Sequence, residues 1–267
     1  MSTSTLEKGQ PGSRALFRDR YLLHKLHSLS GIVQIGLFLI FHLTANSYSL
    51  RGENEFNTAV RAIGYAPFVV LLEIGVIGIP ILFHAIYGLM IVAEMPGPGG
   101  NVSHYGYGRN WLYVLQRWTG VLAVVYIAYH VWDTTVLKYV LERTLHGSGG
   151  KELGFQSISY RAMAWRFADP AYLAFYVVGI ASACLHLGNG LFNFCVRWGI
   201  AIGKEAQRVC AFLGWGLGAG LTLLGILVAG NFAVKGQADR KANPDRAAFV
   251  RSLAGIDQPT AGTEQGE

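Results

Sequence analysis

LHSLSGIVQIGLFLIFHL (26–43) decides how this chain is read. The stretch holds no Asp, Glu, Lys or Arg, and its only ionisable side chains are His27 and His42. A bilayer core of about 30 Å needs roughly 20 apolar residues in a helix. The run from Leu26 to Tyr48 meets that length, and four more do so at 67–95, 111–137, 172–200 and 209–234. The expected fold is an all-α integral membrane protein, a bundle of five transmembrane helices, lying in a lipid bilayer.

Composition agrees. Of 267 residues, 52% are hydrophobic and only 14% charged, where a soluble domain carries about a quarter. The net charge of +6 comes from basic residues scattered between apolar runs. They read as membrane-flanking charge, and no nucleic-acid-binding motif accompanies them. Three cysteines (Cys184, Cys195 and Cys210) form no CxxC or CxxCH pattern, so no disulfide framework, zinc site or covalent haem is expected. The first 20 residues lack an apolar stretch, and no cleavable signal is expected. Pro67, Pro96 and Pro170 stand at helix boundaries, whereas Pro80 falls inside the second helix and should kink it. The chain divides into an N-terminal segment (1–25), a five-helix domain (26–234) and a polar, extramembrane C-terminal tail (235–267).

Arg14, Arg18, Arg20 and Lys25 precede the first helix, against Arg51 and Arg61 after it. The first helix usually dominates orientation, which places the N-terminus in the cytoplasm and the C-terminus outside. The basic residues Lys138, Arg143, Lys151, Arg161 and Arg166 of the third connection then fall outside, against that rule.

One histidine lies deep in each of the first four helices: His42, His84, His130 and His186. A lone histidine on an apolar helix is more often a hydrogen-bonded core residue than a ligand. Ionisable groups within membrane spans are nevertheless rare and mark function. With the N-terminus inside, His42 and His130 lie toward the outer half, His84 and His186 toward the inner half. Two histidine pairs at two depths suit two haem irons, each taking an imidazole above and below its plane. Gly31 precedes His42 by eleven residues, which returns nearly to the same helix face, and Gly88, Gly179, Gly188 and Gly190 stand near His84 and His186 in sequence. They would leave room for a macrocycle, although glycine also serves ordinary helix packing, as Gly214, Gly216, Gly218 and Gly220 of the fifth helix illustrate. Haem propionates need donors near the surface. Arg197 follows His186 by eleven residues on the same face, about 16 Å further inward. His27, Ser28 and Arg117 occupy a similar depth, the competing reading for each being an interfacial side chain.

These residues carry a resemblance. The stretches 26–43, LEIGVIGIPILFHAIYG (72–88), RNWLYVLQRWTG through YHVWDT (109–134) and FYVVGIASACLHLGNGL (175–191) make the chain similar to the cytochrome b membrane-anchor subunit of diheme succinate:quinone oxidoreductases. The resemblance spans about Leu22 to Arg208. It implies that His84 and His186 ligate the haem nearer the iron–sulfur partner, and His42 and His130 the far one. It implies a subunit of succinate dehydrogenase that carries electrons through two non-covalent, bis-histidine b haems to a membrane quinone. A flavoprotein that oxidises succinate and an iron–sulfur protein on the cytoplasmic face are the implied partners, in the bacterial cytoplasmic membrane. No GxGxxG pattern in this chain could bind flavin itself. Cys184 stands where some fumarate-reducing relatives carry a proton-conducting glutamate, which argues against that path.

The same resemblance puts quinone near the outer haem, with menaquinone expected. Asn46, Glu73, Trp132 and Asp133 lie at that depth. Glu73 is a candidate proton-exchanging carboxylate or a helix-packing residue, and Asp133 has the competing reading of a carboxylate facing water. Two other functions compete: the diheme anchor of a different dehydrogenase, disfavoured by one histidine on each of four helices, and a haem-free scaffold with a histidine proton relay.

Overall fold

A computed structural model describes residues 11–94, 102, 105–145 and 148–256, with side chains described from Arg20 onward except at Ser148. Residues 1–10, the Met95 end expected for the second span, Pro96 and residues 257–267 of the tail lie outside the described residues. In chain order the helices are α1 (Arg20–Arg51, helical already from Pro11), α2 (Glu53–Gly64), α3 (Val69–Ala93), α4 (Gly108–Thr144), α5 (Ser148–Gln156), α6 (Tyr160–Phe167), α7 (Pro170–Arg197), α8 (Lys204–Ala242) and α9 (Arg246–Leu253). Among the described residues there is no strand, and α1, α3, α4, α7 and α8 are long and apolar enough to cross a membrane. The expected all-α, five-span architecture is therefore present.

Local chemistry sets the helix ends. Asp169 caps α7, its carboxylate accepting from the backbone N–H groups of Ala171 and Tyr172 at 2.8 and 3.1 Å, and Pro170 occupies the first turn, where a missing N–H costs nothing. Asp245 caps α9 in the same way. Three spans contain widened π-helical stretches, Ser30–Gly36, Leu72–Gly78 and Trp132–Val136. Such stretches rotate the residues beyond them relative to an ideal helix. Pro80 follows directly on the second one, and the helix continues past it to Ala93.

α7 is the central helix, packed on α8, α4 and the short α6. Its backbone approaches α8 closely: a Cβ on Gly188 would overlap the Gly214 carbonyl oxygen and meet Gly218. The small-residue spacing of α8 thus serves helix packing. α3 lies at the edge, without a buried residue. Leu71, Leu82, Phe212 and Val234 point outward, as lipid-facing side chains do.

The four short helices gather at the end where α1, α4 and α8 finish, and form a cap. The main core lies beneath it, joining Phe56 of α2, Tyr160, Met163 and Phe167 of α6, Tyr176 of α7 and Phe232 of α8. Within the segment read as a polar tail from residue 235, α8 runs on to Ala242 and α9 folds back, with Val250 packed against Leu153 and Ala162. Ion pairs hold this arrangement: Arg161 with Asp239, Arg240 with Asp169, and Arg61 with Glu152. The hydrogen bonds from Arg61 hold the Glu152 carboxyl below its ordinary range.

Candidate functional site

The bundle brings the four deep histidines together two by two. His84 of α3 faces His186 of α7, ring centroids 6.3 Å apart and perpendicular. His42 of α1 faces His130 of α4, at 5.7 Å and 80°. The first pair lies toward the N-terminal end of α1, the second toward the cap.

Hydrogen bonds fix the ring protons. His84 Nδ1 lies 2.9 Å from the carbonyl oxygen of His27, and His186 Nδ1 lies 3.0 Å from that of Gln116. A carbonyl only accepts, so each Nδ1 carries the proton and each Nε2 is unprotonated, the form in which imidazole binds a metal. Ser30 and Thr119 stand 3.3 Å from the same Nδ1 atoms. Gln116 Nε2 lies 3.2 Å from His186 Nε2, and the Gln116 amide is itself oriented by Asn189, which donates to its Oε1 at 2.7 Å. His130 Nδ1 lies 3.2 Å from the Tyr176 hydroxyl. Asn46 Nδ2 donates to the His42 carbonyl at 2.8 Å and stands 3.4 Å from His42 Nε2.

Glycines allow the rings their places. A Cβ on Gly31 would overlap His84 Cε1, and one on Gly120 would stand 2.9 Å from His186 Cε1. Gly31 therefore serves His84, although its eleven-residue spacing suggested His42. The π-helical stretch between them rotates it off that face. Gly179 admits the Tyr126 ring, a matter of helix packing, and Gly88 faces His27 at 3.1 Å.

The residues near the N-terminal end divide. His27 stacks on His84 with centroids 3.9 Å apart. The Nδ1 atoms of His27 and His24 are buried without a partner. Arg117 donates to the Val92 carbonyl at 3.0 Å. Arg197 ends α7, where its backbone carbonyl accepts from Lys25 at 3.0 Å, and Ser28 is half-buried on α1. At the cap, Glu73 accepts from the Tyr139 hydroxyl and Trp132 is exposed. Asp133 does not face water: only 4% exposed, it pairs with Arg166 at 3.1 Å and Arg246 at 2.8 Å, and accepts from the Tyr172 hydroxyl at 2.9 Å.

Several of these partners escaped sequence reasoning. Gln116, Thr119 and Gly120 sit in the quoted RNWLYVLQRWTG stretch, where polar residues three apart on an apolar helix were the available signal. Tyr172 and Tyr176 share a face at i,i+4. His24 lies one turn before His27.

No family model matches the chain. It is 36% identical over 193 residues to the succinate dehydrogenase cytochrome b558 subunit of Bacillus subtilis (strain 168), covering 72% of this chain and 87% of that protein. The chain belongs to the succinate dehydrogenase cytochrome b family. It is a multi-pass membrane-anchor cytochrome b and a subunit of that enzyme.

A cytochrome b implies haem, and the residues fit it. Two imidazoles on opposite sides of one metal, each bonded at about 2 Å, keep their ring centres about 6 Å apart, near both separations found here. Unprotonated Nε2 atoms on His84 and His186, glycines beside two of the rings and unpartnered buried Nδ1 atoms at the N-terminal end add to that fit.

Proposed function

We propose that His42 and His130 hold one haem b, and His84 and His186 a second, both non-covalent and bis-histidine. The observation that carries this reading is the convergence of four deep histidines from four helices into two facing pairs. Haem iron held by these residues would supply one-electron transfer chemistry. The protein supplies unprotonated Nε2 donors, held in place by the carbonyls of His27 and Gln116 on one pair and by the Tyr176 hydroxyl on the other. His27, Ser28, Arg117 and Arg197 serve propionates at the N-terminal end. The buried, partnerless Nδ1 of His27 supports that role for it.

The partners in this reading are a flavoprotein and an iron–sulfur subunit, the latter docking at the N-terminal, cytoplasmic end in the bacterial cytoplasmic membrane. Quinone, as menaquinone, binds at the capped, outer end with Asn46, Glu73, Trp132 and Asp133. The Tyr139–Glu73 hydrogen bond supports a carboxylate there that exchanges protons.

Acid–acetone extraction of the purified complex should release about two haems per chain. Replacing His84 or His186 should deplete one spectral component, and replacing His42 or His130 the other. Depletion of a common component by His42 and His84 variants would sink the pairing, and a haem yield near zero would sink the whole reading.

A further inference from the structure

His130 differs from the other deep histidines in what holds it. Its Nδ1 meets the Tyr176 hydroxyl at 3.2 Å, Tyr176 meets the Tyr172 hydroxyl at 2.9 Å, and Tyr172 meets Asp133 Oδ2 at 2.9 Å. The chain is buried: Tyr176 is 2% exposed and Asp133 is 4% exposed. Its sense is fixed at the far end. A carboxylate flanked by Arg166 and Arg246 is ionised and only accepts, so Tyr172 donates its one proton to Asp133. Tyr172 can then only accept from Tyr176, and Tyr176 in turn accepts from His130 Nδ1–H. All three hydrogen bonds point the same way, from the imidazole toward the carboxylate. His84 and His186 instead end on neutral backbone carbonyls.

We propose that Tyr172, Tyr176 and Asp133 form a positioning relay that makes His130 the stronger imidazole donor and so lowers the reduction potential of the haem that His130 would hold. The proposal rests on the assignment of His130 as a ligand. A carboxylate acting on the distal nitrogen of a ligating histidine raises its basicity and fixes its orientation. Hydrogen bonds aligned in series polarise one another, so two hydroxyls transmit the effect. Greater electron donation favours the oxidised, more positive iron. The two arginines act oppositely through space, so Asp133→Asn would mix lost relay with unbalanced charge. Tyr172→Phe is the cleaner variant: it removes one hydroxyl, alters no formal charge and does not touch His130.

The test is a potentiometric titration of the complete complex in native membranes, following both haem components by absorbance and electron paramagnetic resonance. Tyr172→Phe and Tyr176→Phe should each cut the oxidised-to-reduced ratio of the His130-linked component, at fixed potential, severalfold to about tenfold, where tenfold is 59 mV for one electron. The other component should stay in place, as should both components in the neighbouring Tyr129→Phe control. Both midpoints unmoved in both variants, or both components moving together as general loosening would cause, overturns the relay. His130→Ala separates the two claims. If it depletes one component while the tyrosine variants are silent, only the relay fails; if it depletes neither, the ligand assignment itself fails.

Discussion

Single atoms decide most at the residue scale. Gly31 and Gly120 each let an imidazole lie against a helix backbone where any side chain would collide with it. Gly31→Ala adds one methyl in direct overlap with His84, and overpacking of a closed site costs about 1–3 kcal/mol. The expected result is at least severalfold depletion of the component linked to His84 and His186, with the His42-linked component retained in the visible spectrum. A normal spectrum would show that α1 moves aside freely and that Gly31 is ordinary packing.

At the scale of the element, α7 carries the site. It presents His186, Tyr172 and Tyr176, and it must be fixed along its axis and against α8. Asp169 does the first, joining its N-terminal N–H groups to Arg240 of α8. Loss of such a cap costs about 1 kcal/mol, so Asp169→Ala should lower the thermal midpoint of the complex by a few degrees while leaving the haem content per chain unchanged. Gly188 does the second, and Gly188→Val would force the α7 and α8 backbones apart. That variant should lower complex yield far more than the cap variant, as read by haem per membrane protein. Equal yields would mean that the α7–α8 contact is dispensable for assembly.

For the whole molecule, charge is organised by ends. Arg61, Arg161, Arg166, Arg240 and Arg246 are committed to carboxylates within the cap. Their pairing there gives a reason why a count of basic residues did not settle orientation: they hold the cap together. In the proposed arrangement, with the N-terminal end inside and quinone reduced at the capped end, negative charge would leave the cytoplasmic side while protons would be drawn from outside. Each elementary charge crossing the membrane is worth about 2.3 kcal/mol per 100 mV, enough to help succinate reduce a low-potential quinone. Uncoupler should therefore slow quinone-linked succinate oxidation in cells or sealed vesicles of native orientation, but not the rate with a high-potential acceptor reduced by the soluble subunits. A quinone-linked rate indifferent to uncoupler would move the quinone site to the N-terminal end.

The five spans are legible in the order of the amino acids, because roughly 20 predominantly apolar residues satisfy their backbone in lipid as a helix whose bonds are all internal. That order also singled out the four deep histidines, since an ionisable group in a membrane span is costly enough to stand out from an apolar run. Which glycine serves which ring emerges from the packed helices alone, because the π-helical stretch at Ser30–Gly36 breaks the 3.6-residue count used to place Gly31. Only that packing revealed that Asp133, on α4, is buried between Arg166 of α6 and Arg246 of α9 and tied through two α7 tyrosines to His130. Those partners lie 33 and 113 residues from Asp133 in the chain. Residues so far apart meet only when the helices pack, and no local pattern of polarity records that meeting.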